Sequence, residues 1–354
     1  MTRLGLTLLL AAATACSEPS CATASAKGKP VVKAPLIQRT MTLDDVERVV
    51  WKPGPTVTFA PTTIREREAL GSLIPKLMEG ARAATPPDPE AWQDTANGAG
   101  FRIERWTVDG QIYWALVELP EKRRGAGAYV FRVAPPSGAG AEEILLEAPH
   151  AYFDVGTGLL GAQLFFFPPP GARPRAFFTN TIHRYQSAPG KKVKQKNSPS
   201  DVAHNPEHGF TTATEAFVRA AGGPVLVLQL HGFAGRPEDD DDAAESAPSA
   251  QSAAPVEIAM VVSAGDKAGS SPRSAALAAA LTGVFGPGVK RFPEDTRVLG
   301  ATTNVQMRAL RDVRGASFVH VEMSATTRRS LAADPELRRK WATALMNTPA
   351  AGAK

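Results

Sequence analysis

Histidines and carboxylates occur where several short apolar segments of the sequence end. His150 directly follows the run "EEILLEAP", Asp154 comes four residues later, and His231 ends the run "PVLVLQLH". Glu322 lies inside a further apolar run, "SFVHVEMS". Buried ionisable groups are costly unless they are paired or bind a metal. Two histidines, a carboxylate and an open water position form the usual catalytic zinc arrangement, beside which a further glutamate can accept a proton.

Each of these residues also has an ordinary structural explanation. A histidine at the end of a strand is commonly a hydrogen-bonded loop residue. Glu322 shares strand parity with His320, so both side chains could face a solvated side of the sheet. The convergence of several such residues at one sheet edge is what favours a functional site over these explanations.

The surrounding pattern predicts the elements that must position these residues. Apolar residues at helical spacing predict a helix over 63–83. Three β-like runs after it, separated by turn signals such as Asp109-Gly110, predict an antiparallel meander. Beyond residue 140, compact Val-, Leu- and Phe-rich runs alternate with helical segments, which is typical of an α/β protein. The β-like runs are "FRIERWTV", "QIYWALVEL", "AYVFRVA", "EEILLEA", "RAFFTN", "PVLVLQL", "VEIAMVV" and "SFVHVEM", and the later helical segments are "TTATEAFVRAA", "RSAALAAALTGVF" and "DPELRRKWATALM".

We therefore expect an α/β fold with a mostly parallel or mixed sheet flanked by helices, preceded by a small antiparallel β meander. The expected organisation is a signal peptide and tether over 1–34, a helix and meander over 35–140, and an α/β domain over 141–349. The acidic, then Ser/Ala/Pro-rich stretch 235–255 is expected to be a disordered insertion in that domain.

Three separate stretches together resemble the poly-γ-glutamate hydrolase family of zinc amidohydrolases. They are "HAYFDVGTG", "VLQLHGF" and "GASFVHVEMSATTRRSL", and they follow the family order over residues 144–331. The family fold is similar to those of zinc carboxypeptidases and N-formylglutamate amidohydrolases. The resemblance implies that His150, Asp154 and His231 hold zinc and that Glu322 is the general base. The chain departs from the family in having Asp154 where the family has Glu, and Asp reaches less far.

A hydrolase of this kind needs a group that grips a substrate carboxylate, and the planar fork of an arginine suits that task. Arg184 is the first candidate, because it follows a predicted strand beside His183. Arg308 and Asn304 lie in the loop "VLGATTNVQMR", which resembles the Asn-rich loop of the family, and Arg328 follows Glu322.

The expected function is therefore zinc-dependent cleavage of a γ-glutamyl or other peptide-like amide bond outside the cytoplasm. Two alternatives remain open at this point. An exported binding protein with the same fold could have lost the metal, since Asp154 departs from the family. A serine hydrolase is disfavoured, because "LQLHGF" resembles an oxyanion strand but no Gly-x-Ser-x-Gly occurs in the chain.

Composition limits the partners and the compartment. The excess of 40 basic over 35 acidic residues is small and scattered, so nucleic acid is not expected. Residues 1–30 resemble a secretory signal, with an apolar stretch over 4–13 too short to span a bilayer and small-x-small patterns ending at Ala15 and Ala26. "ATAC" also resembles a lipoprotein box, which would anchor the protein to a membrane through lipidated Cys16. The other cysteine is Cys21, so the folded part offers no thiolate for catalysis or metal binding.

Overall fold

The computed structural model describes residues 35–52, 59–136, 138, 140–188, 191–192, 198–234 and 257–348. Contacts divide the chain into Met1–Pro35 and Leu36–Lys354, and everything below concerns the second unit. The expected signal peptide, the Cys16 lipidation site and the acidic insertion 235–255 lie outside the described residues. Among the helices described, none combines the length and apolar character needed to cross a membrane.

A ten-stranded mixed sheet, flanked by helices, organises the described chain. Its strand order is β1-β2-β3-β4-β6-β5-β9-β12-β10-β11, and β7 pairs with β8 in a separate ribbon. The strands are β1 Ile37–Thr40, β2 Phe101–Val108, β3 Gln111–Glu118, β4 Ala128–Arg132, β5 Glu143–Ala148, β6 Ala176–Thr179, β7 Gln186–Ala188, β8 Lys191–Lys192, β9 Val225–Phe233, β10 Met260–Ser263, β11 Val289–Phe292 and β12 Ala316–Ser324. The helices are α1 Leu43–Val50, α2 Ile64–Arg82, α3 Gln93–Gly98, α4 Thr157–Phe166, α5 Gly209–Ala221, α6 Pro272–Phe285, α7 Val305–Leu310, α8 Ala325–Ala333 and α9 Pro335–Met346.

The predicted fold class is confirmed. Strands β2, β3 and β4 pair antiparallel as the expected meander, and β5, β9 and β12 pair parallel in the middle of the sheet. The meander joins the same sheet through the antiparallel pair of β4 and β6. The helix expected over 63–83 is α2, which begins at a capping box in which Thr63 and Glu66 exchange hydrogen bonds.

Two packed layers of apolar side chains, one on each face of the sheet, form the core. One contains Leu146, Leu228 and Val321, and the other contains Leu145, Val227 and Phe318. Because successive residues of a strand face opposite sides, a strand with helices on both faces is apolar throughout. This is why the central strands appear in the sequence as continuous apolar runs.

The register of the three parallel strands brings a set of polar residues to one face near their carboxyl ends. His231 lies opposite Glu322, and Gln229 lies opposite both Glu147 and His320. All five residues are at least nine-tenths buried. Polar groups buried on a face of such a sheet need hydrogen-bond or ionic partners. The arrangement of these partners therefore decides what the site can do.

Candidate metal centre

His150 and Asp154 lie on one turn of chain that follows β5. The amides of Phe153 and Asp154 both donate to the carbonyl of His150, at 2.8 Å. This single helical turn places residues four apart on the same side, so His150 Nδ1 and Asp154 Oδ2 are 3.6 Å apart. Gly156 follows with a φ of 99°, which lets the chain reverse into α4. The turn brings the backbone of Asp154 close to His150 and so compensates for the shorter reach of aspartate.

His231 approaches the same carboxylate oxygen from β9. Its Nδ1 lies 3.3 Å from Asp154 Oδ2, and the rings of His150 and His231 are 4.8 Å apart, edge to face. Two ligand atoms about 2.1 Å from a zinc ion at the tetrahedral angle are about 3.4 Å apart. The separations of Asp154 Oδ2 from His150 Nδ1 and from His231 Nδ1, 3.6 and 3.3 Å, match that edge length, and one ligand atom of each of the three residues lies within 4.8 Å of the others. The two edges that meet at Asp154 therefore fit a tetrahedral ion.

Two of the three facing polar atoms lack hydrogen-bond partners among the described residues. His150 Nδ1 and Asp154 Oδ2 are buried and form no hydrogen bond there. The pKa of Asp154 lies below its usual range: burial would raise it, but the two histidines outweigh burial. Burial lowers the pKa of His231 to about 4, so at neutral pH its ring is neutral. A divalent metal requires this protonation state, in which the carboxylate is ionised and the imidazole that faces it has a free lone pair.

Asp201, which the sequence analysis missed, orients His150. Its Oδ1 lies 2.8 Å from His150 Nε2, while Arg184 Nε donates to its Oδ2 at 2.9 Å and His204 Nδ1 lies 3.1 Å from the same oxygen. Because a carboxylate can only accept, His150 donates from Nε2 and keeps the Nδ1 lone pair for a metal. Burial and Arg184 oppose protonation of His150, but Asp201 and Asp154 outweigh them and raise its pKa. Asp201 lies in a loop with no periodic pattern, which gave the sequence analysis no signal.

Gln229 and Glu147 form a second buried layer behind His231. Gln229 Oε1 lies 3.2 Å from His231 Nε2, and Gln229 Nε2 donates to Glu147 Oε2 at 2.6 Å. Both were missed as site residues, although a signal existed: each is a polar residue in an otherwise apolar strand, "EILLEA" or "VLVLQL".

Glu147 is best satisfied when it carries a proton. Its Oε1 contacts the hydroxyl of Thr214, which also lies 3.1 Å from the carbonyl of Phe210. One hydroxyl proton cannot serve both acceptors, whereas a protonated Glu147 donates to Thr214 and leaves Thr214 to donate to Phe210. Burial raises the pKa of Glu147 to about 7, although hydrogen bonds from Thr214 and Gln229 oppose the shift.

We expect Glu147→Gln to change how stability depends on pH. Because the folded pKa is about 7 against an ordinary value of 4.5, the native protein binds the proton more tightly, and its stability falls as pH rises across that window. The shift corresponds to about 3 kcal/mol above pH 7. Glu147→Gln keeps an acceptor and a donor but cannot ionise. Denaturant unfolding of chelator-treated protein should therefore show that wild type loses more stability than the variant between pH 5 and pH 8. An equal change in the free energy of unfolding of both proteins between the two pH values would contradict this. The surface variant Glu336→Gln is the control.

Glu322 lies beside His231, and its Oε2 is buried. One ligand atom from each of His231, His320 and Glu322 lies within 4.8 Å of the others, so these residues form a second possible metal group that shares His231 with the first. His320 Nε2 is 3.4 Å from Glu322 Oε1, and His320 Nδ1 has no hydrogen-bond partner among the described residues. The expectation that Glu322 and His320 share a face holds, and that face is buried.

Arg328, which the sequence analysis assigned to substrate binding, is buried and contacts backbone carbonyls. It donates from Nε to Val155 O at 2.9 Å and from Nη1 to Phe233 O at 3.3 Å and to Met323 O. These bonds join the turn after β5 to the ends of β9 and β12. They also explain Gly232, because a Cβ there would lie 1.8 Å from Arg328 Nη1. The contacts give Arg328 a structural role, and its substrate role stays a prediction.

The other predicted substrate residues differ in exposure. Arg184 is 8% exposed, pairs with Asp201 at 2.5 Å and lies over the ring of Phe153. Asn304 is buried, caps α7 through Met307 N and donates to Gln229 at 2.8 Å, so its side chain serves the layer behind His231. Arg308, one turn further along α7, is exposed.

Comparison with known proteins gives distant structural similarity. No protein-family model matches the sequence, and no curated protein matches it. Similar solved structures include an N-formylglutamate amidohydrolase from Ralstonia eutropha JMP134, with 14% identity, a TM-score of 0.37, and coverage of 60% of this chain and 94% of that chain. A metallo-carboxypeptidase from Burkholderia cenocepacia has 12% identity, a TM-score of 0.33 and coverage of 69% and 76%. The succinylglutamate desuccinylase from Chromobacterium violaceum has 11% identity, a TM-score of 0.34 and coverage of 78% and 75%. Since these scores are low, the function proposed below depends on the geometry of the site.

Proposed function

We propose that this protein is a zinc-dependent amidohydrolase that cleaves a γ-glutamyl or other peptide-like amide bond. The observation that carries the proposal is the approach of His150 Nδ1 and His231 Nδ1 to one oxygen, Asp154 Oδ2, at the spacing of tetrahedral ligands, with all three residues buried. His150 Nδ1 and Asp154 Oδ2 have no hydrogen-bond partner among the described residues, and a cation would satisfy both atoms. The intact geometry favours the enzyme over a binding protein that has lost the metal.

The chain's own residues supply the remaining chemistry. When bound, zinc would lower the pKa of water to about 7 and polarise the scissile carbonyl. Asp201 and Gln229 hold the two imidazoles in place from behind. Glu322 accepts the proton of the attacking water at a carboxylate oxygen and passes it to the nitrogen of the leaving amine.

Metal content and hydrolysis test this function together. Protein lacking residues 1–34, expressed with added zinc, should carry about one zinc per chain and release amine from γ-glutamyl, α-peptide or cell-wall peptide substrates. A chelator should abolish turnover and zinc should restore it. Protein that binds no transition metal after zinc-supplemented expression would refute the proposal. Metal without turnover on any of these substrates would contradict the amidohydrolase activity, whereas absence of metal would favour the binding protein.

Arg308 is the most suitable arginine for a substrate carboxylate, because the residue is exposed and its guanidinium makes one long hydrogen bond, from Nη2 to the carbonyl of Thr302 at 3.4 Å, whereas Arg184 already neutralises Asp201. We expect Arg308→Ala to raise KM about tenfold or more for substrates with a free carboxylate, with little change in kcat, since a hydrogen bond to a charged group contributes about 1.5–3 kcal/mol. Arg311→Ala, an exposed arginine near the end of α7, is the matched control. An equal KM for both variants would remove Arg308 from substrate binding.

The proposed site of action is outside the cytoplasm, as the N-terminal sequence suggests. Membrane anchoring through lipidated Cys16 stays a prediction, which mass spectrometry of the mature N-terminus from the native host would check.

A further inference from the structure

We propose that Gln229 is a positioning residue for the metal centre: its amide is held in a single orientation, so that His231 carries its proton on Nε2 and presents the Nδ1 lone pair to the metal. This inference rests on the metal site proposed above. Gln229 is fully buried on β9, two residues before His231, so both side chains face the same side of the sheet.

The four neighbours of Gln229 distinguish its oxygen from its nitrogen. Its Nε2 faces two oxygens, Glu147 Oε2 at 2.6 Å and Gln306 Oε1 at 3.3 Å. Its Oε1 faces two nitrogens, Asn304 Nδ2 at 2.8 Å and His231 Nε2 at 3.2 Å. Turning the amide by 180° would place an oxygen against two oxygens and an NH₂ against an NH₂. A buried polar atom that loses its hydrogen bond is destabilising, and the turned amide would lose all four, so only one orientation is populated.

Backbone atoms fix the polarity of this network. Gln306 Nε2 donates to the carbonyl of Val202 at 2.7 Å and to Thr211 Oγ1 at 2.9 Å, which turns Gln306 Oε1 toward Gln229. Asn304 Oδ1 accepts from the amide of Met307 at 3.0 Å, which turns its NH₂ toward Gln229. A backbone carbonyl can only accept and a backbone N–H can only donate. The directions of these hydrogen bonds are therefore set outside the metal centre.

The consequence for His231 follows from the acceptor that Gln229 presents. A proton on His231 Nδ1 would leave the Nε2 lone pair against Gln229 Oε1, with both atoms buried. The approach of Nδ1 to Asp154 Oδ2, at 3.3 Å, lacks hydrogen-bond geometry, whereas the contact of Nε2 with Gln229 has it. Outer partners of this kind typically account for about 10–100-fold in metal affinity, because they fix the tautomer and ring orientation of a ligand histidine.

Two variants separate this role from simple packing. Gln229→Met keeps the volume and removes the acceptor. A double variant that combines Glu147→Gln with Gln229→Glu exchanges the amide and the acid. In it, a carboxylate oxygen at position 229 still faces His231, the new amide at position 147 donates to that carboxylate, and the longer hydrogen bond to Gln306 Oε1, at 3.3 Å, is lost. Thr214→Val is the control, because Thr214 contacts Glu147 on the side away from Gln229. We expect the zinc dissociation constant, measured by chelator competition, to rise about 10–100-fold in Gln229→Met and to stay within about threefold of wild type in the other two.

Tautomers measured in metal-free protein test the inference independently of metal and activity. In ¹⁵N-histidine-labelled wild type, with the His231 signal assigned from the spectrum of His231→Ala, neutral His231 should be protonated on Nε2, and Gln229→Met should gain the Nδ1–H form. An Nδ1–H form in wild type would overturn the inference without any variant. It would also be overturned if Gln229→Met bound zinc as wild type does, or if the double variant lost zinc as severely as Gln229→Met. Because none of these readouts requires turnover, failure to find a hydrolysed substrate would count against the proposed function and not against Gln229.

Discussion

Glu322→Gln is expected to bind zinc as wild type does and to lose roughly two to four orders of magnitude in turnover. The amide has nearly the same shape as the carboxylate but cannot accept a proton at neutral pH. Glu322 is 8% exposed and lies opposite His231, a proposed metal ligand, in the pairing of β12 with β9. Zinc content, melting temperature and hydrolysis should be measured on wild type and variant side by side.

The same substitution distinguishes a base from a ligand. If the ion used the group His231, His320 and Glu322, Glu322→Gln would release metal as well as activity. Metal retained with turnover lost supports the base. A variant as active as wild type would mean that Glu322 takes no part in the chemistry. Glu336→Gln, at an exposed position on α9, controls for the change of charge.

His231→Ala should lose the metal while the fold largely survives. His231 belongs to both possible metal groups, so its removal leaves at most two ligands in either. The loss of affinity should exceed the roughly 10–100-fold that outer partners of a ligand account for. Circular dichroism should remain close to wild type, because the ring lies at the end of β9 and is not part of the apolar core. Full zinc content in this variant would show that His231 is not a ligand.

Two further alanine variants decide which group holds the ion. His150→Ala removes a ligand only from the group with Asp154, and His320→Ala only from the group with Glu322. We expect His150→Ala to lose zinc and His320→Ala to keep it, since the separations of 3.6 and 3.3 Å around Asp154 match a tetrahedral site. The reverse result would assign the ion to the group of His231, His320 and Glu322. Glu322 would then be a ligand and not the base.

The sequence predicted the fold class because local patterns reflect it directly. Continuous apolar runs such as "VLVLQL" mark strands buried on both faces, and the helical spacing after Thr63 marks α2. Short or weakly periodic elements such as α1, α4 and β1 escaped prediction. The glycines of "HAYFDVGTG" give no helical signal, yet Thr157 begins α4 after the reversal at Gly156, since tertiary packing of this apolar helix outweighs its glycines.

By itself, the sequence determined that His150, Asp154, His231 and Glu322 fall at or near strand ends, because strand ends are visible in one dimension. Only the tertiary structure decided which oxygens and nitrogens meet. Asp201 and Asn304 reach the site from loops whose positions depend on the whole fold, and Arg328 proved to be bonded to backbone carbonyls. Hydrogen bonds form between atoms about 3 Å apart, whatever the distance between them along the chain. A pattern that repeats every two or 3.6 residues therefore identifies the strands and helices, whereas the partners of each buried polar atom depend on how those elements are packed together.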